Sequence, residues 1–266
     1  MKAVLLVLAV GLTACTSPPS RTGAPVATMH PVSLLLGDLT GAPVASILPA
    51  GVSPHAYDPL PSAARLAAQS SLVVGVTPEV DGWIEDLSPG PVAWLLTPEM
   101  DPHAWLDPLA VAGRLPALAE TMCGQTPLGC DQLRERARMQ SEALAQTAAD
   151  MQRLRGQTVV VASTFLSAYL ARAGVVTRFV IAPVEGVEPS PAAVRAAIDH
   201  ARETGIVVGQ TGFPELAARR VAEAAGVPFV AVDPVGRPET APTYDALIRA
   251  ITSGIAQAVR TENATP

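Results

Sequence analysis

From Asp131 through Arg155 the chain carries neither glycine nor proline, and Leu133, Ala137, Leu144, Ala148, Met151 and Leu154 fall on one helical stripe. The stretch predicts a single helix of about 37 Å at 1.5 Å rise per residue, as wide as a small domain. Short apolar, β-branched runs lie on both sides of it: Leu72–Val76 before, and Thr158–Ala162, Ile206–Gly209 and Pro228–Val232 after. Between them come helical patterns at Pro108–Glu120, Ser190–Thr204, Pro214–Ala225 and Thr243–Arg260, each opened by Pro, Ser or Thr. Gly205 and Gly226 stand where helix-ending glycines belong, just before the next strand. Buried strands alternating with helices mean parallel β/α layers. The expected fold is therefore α/β: two β/α lobes with mainly parallel sheets, joined by a long spine helix, with a ligand cleft between the lobes. A coiled-coil dimerisation arm fits less well, because the stripe is narrow, alanine-rich and only about three heptads long.

The N-terminus indicates export. Met1-Lys2 precedes the apolar run Ala3–Leu12, which is too short to remain in a bilayer as a spanning helix. The run ends in Leu12-Thr13-Ala14-Cys15, which resembles the lipobox of bacterial lipoproteins and implies lipid attachment at Cys15. A plain signal-peptidase site with an incidental cysteine is the alternative. Thr16–Ala24 then reads as a tether. The expected location is extracytoplasmic, periplasmic or at the cell surface, with membrane contact through the N-terminal lipid only. In such a compartment Cys123 and Cys130, flanking the turn-rich Gly124–Gly129, are expected to form a small disulfide loop. Two cysteines at this spacing make no zinc knuckle without a second pair.

Lys2 is the only lysine, and it lies in the segment expected to be removed. Schiff-base and lysine-nucleophile chemistry are thereby excluded. A formal charge of −6 with scattered arginines also argues against nucleic-acid binding.

The chemistry concentrates in the histidines. Ser53-Pro54-His55-Ala56-Tyr57-Asp58-Pro59 is echoed 48 positions later by Asp101-Pro102-His103-Ala104-Trp105-Leu106-Asp107-Pro108, so two of the four histidines sit in near-copies of one phrase. A proline before each imidazole stiffens the loop, and an Asp-Pro turn closes it. A stiff loop presenting a neutral imidazole suits a metal ligand; the plainer reading is two ordinary Pro-His turns. Ligand groups in open α/β sheets gather beyond the carboxyl ends of strands. His30 follows Val26–Met29, the His55 phrase follows Ile47-Leu48, the His103 phrase follows Val92–Leu95, and Asp233 follows Val230–Val232. His200 lies in a helical pattern and reads as a solvated side chain.

Cys15, the two histidine phrases, the spine helix, and Val232-Asp-Pro-Val-Gly236 followed by Tyr244 together resemble the zinc- and manganese-specific solute-binding lipoproteins of bacterial ABC importers. The resemblance runs from about Pro25 to Val259. It implies a signal peptide at 1–14, a lipid-anchored tether at 15–24, an N-terminal lobe at 25–128, the spine at 129–156 and a C-terminal lobe at 157–266. It further implies that His55, His103 and Asp233 hold the metal between the lobes, with Zn2+ as cargo and Mn2+ as the alternative. The implied partners are an ABC permease and its ATPase, and the chain itself is expected to be a monomer and no enzyme.

The sequence departs from that family where a third ligand, commonly histidine, follows the first strand of the second lobe. Here the position is Ser163. Gln210 stands where other members supply a carboxylate, and neither Glu185 nor Glu188 replaces it; Glu188 looks like the position before the next helix, where a carboxylate favours the N-terminus. Three readings stay open: His30 swings in and completes a set of three imidazoles and one carboxylate; His55, His103, Asp233 and a water hold the metal; or metal binding is lost. Rival functions are a surface metal-binding adhesin and a metallohydrolase with a two-histidine, one-aspartate site. For the hydrolase there is no His-Glu-x-x-His helix, Gly-x-Ser-x-Gly elbow or evident general base.

Overall fold

The computed structural model describes residues 23–184, 187–211 and 215–263. The leader, Cys15, Glu185 and Pro214 lie outside the described residues.

The first half alternates β1 (Val26–Ala27), α1 (His30–Thr40), β2 (Ala45–Ser46), α2 (Pro61–Gln69), β3 (Val73–Gly75), α3 (Pro78–Asp81), β4 (Val92–Trp94) and α4 (Pro108–Met122). Its strands form one parallel sheet in the order β2-β1-β3-β4. The spine follows as α5 (Cys130–Met151), prolonged by a 3-10 turn at Gln152–Leu154. The second half continues with β5 (Thr158–Val161), α6 (Ser167–Ala173), β6 (Val176–Val180), α7 (Pro191–Thr204), β7 (Val207–Gln210), α8 (Glu215–Ala225), β8 (Phe229–Val232) and α9 (Tyr244–Asn263). Its parallel sheet has the order β6-β5-β7-β8, the same arrangement as the first. The two-lobe α/β fold joined by a long helix is as the sequence pattern requires.

The lobes share more than topology. Val73-Val74-Gly75 on β3 and Val207-Val208-Gly209 on β7 occupy equivalent third places in the two sheets. Both glycines are held by an aromatic on the neighbouring strand, since a Cβ at Gly75 would stand 2.3 Å from the Trp94 ring and one at Gly209 would stand 2.8 Å from Phe229. Close ring-to-backbone packing of this kind admits no side chain.

Every member of the spine stripe is buried, and α5 packs on α4, α1 and α9 of its own chain. The stripe is thereby used within the monomer. One apolar core runs through Val74 on β3, Leu115 on α4, Leu144 on α5, Val161 on β5 and Ile248 on α9, so the lobes are fused along the spine. Cys123 and Cys130 are paired, with Cα atoms 5.0 Å apart at the approach to α5.

β6 and α1 are among the elements that the hydrophobic pattern does not give. β6 is an edge strand whose first three residues are exposed, and Val176-Thr177-Arg178 offers no apolar run. α1 is apolar on nearly every side because it is buried under the first sheet and beside α5, which hides its helical period. Among the described residues, no helix is long and apolar enough to cross a membrane.

Candidate metal centre

The two histidine phrases fold alike at first and then diverge. Pro54 opens a 3-10 turn, Pro54–Ala56, that presents His55 at the surface of the cleft. In the second phrase His103 precedes a 3-10 turn, Ala104–Leu106, and Asp101 fixes the approach by accepting a 2.8 Å hydrogen bond from the His103 backbone N–H. Asp107 then caps α4, accepting from the Leu109 N–H at 2.9 Å and the Ala110 N–H at 3.3 Å. The same carboxylate receives both Nε (2.7 Å) and Nη2 (2.9 Å) of Arg172 on α6, tying the phrase to the second lobe. The aromatics two residues after each histidine pack differently. Tyr57 stands edge-on to Trp83 at 4.9 Å, whereas Trp105 sits 5.3 Å from the His103 ring.

The imidazoles of His55 and His103 face each other with ring centroids 5.7 Å apart and planes tilted by 57°. Two imidazoles on one tetrahedral zinc, with Zn–N of about 2.0–2.1 Å, place their centroids about 5 Å apart, so the observed pair stands close to coordination spacing. Asp101 Oδ1 lies 3.5 Å from Nδ1 of His103. A carboxylate on that side favours the proton on Nδ1 and leaves Nε2 as the donor toward a metal. Ser167 of the second lobe in turn donates to Asp101 Oδ2 at 2.6 Å.

Across the cleft, Asp233 leaves β8 with Oδ1 accepting from the backbone N–H groups of Val235 (3.2 Å) and Gly236 (2.9 Å). Its Oδ2 is 3.5 Å from Nε of Arg237. His55, His103, Asp233 and Gln210 all line one cavity of about 210 Å³, whose other walls include Phe165 and Trp105. Trp105 also donates its indole N–H to the Pro234 carbonyl at 3.3 Å, and Tyr244 donates its hydroxyl to the Trp105 carbonyl at 2.6 Å. These bonds join the lobes directly beside the cavity. Among the described residues, no three His, Cys, Asp or Glu side chains stand close enough to share one metal ion. The preorganised part is the imidazole pair, with Asp233 on the same cavity but held by its own partners.

The remaining sequence candidates lie elsewhere. His30 opens α1 with Nε2 3.0 Å from the Ala241 carbonyl, and it lines a separate groove with Asp38 and Arg136. Ser163 is buried at the exit of β5 and is not part of the cavity lining. Glu188 is exposed before α7. His200 sits on α7 with its side chain 38% exposed, as a solvated helical residue, and its ring also stacks on Phe179 of β6 at 5.2 Å.

Sequence reading passed over Asp101 and Arg237. Asp101 had a signal, since an aspartate two residues before an ordered backbone N–H makes an Asx turn. Arg237 had none, because its role depends on where β8 delivers the chain.

The model of the ZnuA family, the periplasmic component A of a zinc-uptake complex, matches residues 26–258. Among curated proteins, none matches the chain. Solved structures agree in fold. A crystal structure of ZnuA shares 21% identity and a TM-score of 0.76, over 89% of this chain and 98% of that one. FpvC of Pseudomonas aeruginosa, a solute-binding protein in complex with Mn2+, gives 19% and 0.74 over 90% and 99%. A Mn-bound periplasmic metal-binding protein from Candidatus Liberibacter asiaticus gives 15% and 0.75 over 89% and 99%.

Proposed function

Since this chain belongs to the ZnuA family of periplasmic zinc-uptake components, which are solute-binding proteins and not enzymes, we propose that it captures Zn2+ and hands it to an ABC permease driven by its ATPase. The observation that carries this reading is the His55–His103 pair at 5.7 Å, set in a cavity that Asp233 also lines. Two imidazoles favour zinc over Mn2+, which prefers oxygen-rich shells. In this reading the ligands are His55, His103 and Asp233, the last moving in from its backbone cage, with a fourth position left for water or another small group. His30 stays outside the shell, as its ring already meets the Ala241 carbonyl.

Because one core and several polar bonds fuse the lobes, capture proceeds by adjustment of the 48–55 loop and Asp233 and not by wide hinge opening. Attachment through Cys15 and a monomeric state belong to the same proposal; they place the cavity near a membrane permease. Zinc-edge X-ray absorption of the loaded protein tests the site: two imidazole scatterers at about 2.0–2.1 Å support it, and a shell of oxygens alone overturns it.

A further inference from the structure

The carboxylate of Asp233 is held at both oxygens by the chain that follows β8. Oδ1 accepts from the Val235 and Gly236 N–H groups at 3.2 and 2.9 Å, and Oδ2 lies 3.5 Å from Nε of Arg237. The backbone of Arg237 is fixed, because its carbonyl accepts from the N–H groups of Thr240 (3.1 Å) and Ala241 (2.7 Å). Its side chain is 50% exposed, so the guanidinium can swing into solvent about that fixed point. The same guanidinium reaches the first lobe, where a Cβ on Gly51 would lie 2.7 Å from Nη2 and 3.1 Å from Cζ. Gly51 belongs to the loop entering the His55 turn, and Gly51, His55, His103, Asp233 and Arg237 line one cavity. One cation thus rests against the carboxylate of one lobe and against the approach to the imidazoles of the other. A divalent ion that takes Asp233 Oδ2 meets this cation at close range, where like charges repel.

We propose that Arg237 competes with the metal for Asp233: metal capture displaces the guanidinium into solvent, and its return to the carboxylate speeds metal release. This rests on the metal-binding reading above and adds the regulation of its site. A half-exposed ion pair shifts an equilibrium by a factor of up to about five. Metal that binds only the unpaired form is weakened accordingly, by roughly two- to sixfold. Arg237 is therefore a positioning residue that sets how firmly the carboxylate half of the cleft holds its cargo. A carrier that must hand its metal on gains from such a competitor, because the group that replaces the metal is already tethered four residues away.

The test uses the mature chain stripped of metal, with Zn2+ as the only added ligand. Affinity is measured by competitive titration in about 0.02 M and about 0.5 M salt, where screening lengths are roughly 20 Å and 4 Å. Release is timed by mixing zinc-loaded protein with excess chelator. At low salt Arg237→Gln is expected to bind zinc roughly two- to sixfold tighter than wild type and to release it more slowly by a similar factor. Arg237→Lys, which keeps the charge, is expected to fall between the two. At high salt the difference between Arg237→Gln and wild type should shrink toward none, a response that a purely structural role would not give. The control Arg138→Gln, which removes one charge from the exposed face of α5, is expected to match wild type. The competition proposal falls, with metal binding intact, if Arg237→Gln binds zinc no tighter than wild type, if its advantage is the same at both salt concentrations, or if Arg138→Gln tightens zinc equally. If wild type binds no zinc at either salt concentration, the metal reading itself falls.

Discussion

Replacing Asp107 with alanine separates two supports of the His103 phrase that the structure places on one carboxylate. The first is the cap on α4, where two backbone N–H groups lose their acceptor; losing such a cap costs about 1 kcal/mol. The second is the pair with Arg172. Its geometry is bidentate, but the Arg172 side chain is 35% exposed, so solvent screening holds its worth to about 0.5–1 kcal/mol. Asp107→Ala should therefore destabilise the protein by roughly 1.5–2 kcal/mol, which lowers Tm by about 3–8 °C for a chain of this size. Arg172→Ala removes only the pair and should cost roughly half as much or less. Asp107→Asn keeps a capping oxygen and should resemble Arg172→Ala. Denaturant melts of the three single variants and of Asp107→Ala/Arg172→Ala close a double-mutant cycle whose coupling term is the ion pair alone. The reasoning is refuted if Arg172→Ala costs as much as Asp107→Ala, or if Asp107→Ala changes stability by less than about 0.5 kcal/mol. Zinc affinity of Asp107→Ala should also fall, because His103 lies in the loop that the carboxylate anchors.

Other consequences follow from the same geometry. Gly75→Ala and Gly209→Ala should each cost about 1–3 kcal/mol by overpacking against Trp94 and Phe229, the former more because its ring is nearer; equal stability to wild type in urea melts would contradict the ring contact. Burial pushes the Asp81 carboxyl from 3.8 up to about 6, although the Val76 and Thr77 N–H groups and the Thr28 hydroxyl donate to it. The folded state thus holds this proton more tightly than the unfolded chain, so the associated stability is complete below about pH 4 and is lost as pH rises through about 6, of order 2–3 kcal/mol. Asp81→Asn should lose that part of the pH dependence of unfolding while being less stable overall at pH 5, and an unchanged slope would rule out Asp81 as its source. Zinc affinity should fall on acidification, because protons compete with the metal for the imidazole nitrogens; a flat profile from pH 8 to about 5 would speak against histidine ligands.

How much was legible in the sequence depended on whether the signal was local. The spine declared itself by a long interval without glycine or proline and by one apolar stripe. The buried strands did so by runs of valine. β6 and α1 did not, one because an edge strand carries no apolar run and the other because a helix buried all round has no polar face to set its period. At the site, the repeated Pro-His phrases marked His55 and His103 because the chemistry of each lies within a few residues. Asp233 was found through its strand exit and through resemblance. The separation of His30 from the cavity, the bridging of Asp107 to Arg172 and the reach of Arg237 to Gly51 all depend on contacts between distant segments, which no local pattern encodes.

The central claim is that His55 and His103 together form the metal-binding half of the cleft. It is tested most directly by competitive zinc titration of the metal-free mature protein beside His55→Ala, His103→Ala and His30→Ala, with circular dichroism confirming that each variant is folded. Losing one imidazole ligand should weaken zinc binding by at least about a hundredfold, whereas His30→Ala should bind zinc within a few-fold of wild type. Folded His55→Ala and His103→Ala variants that bind zinc as tightly as wild type would contradict the account.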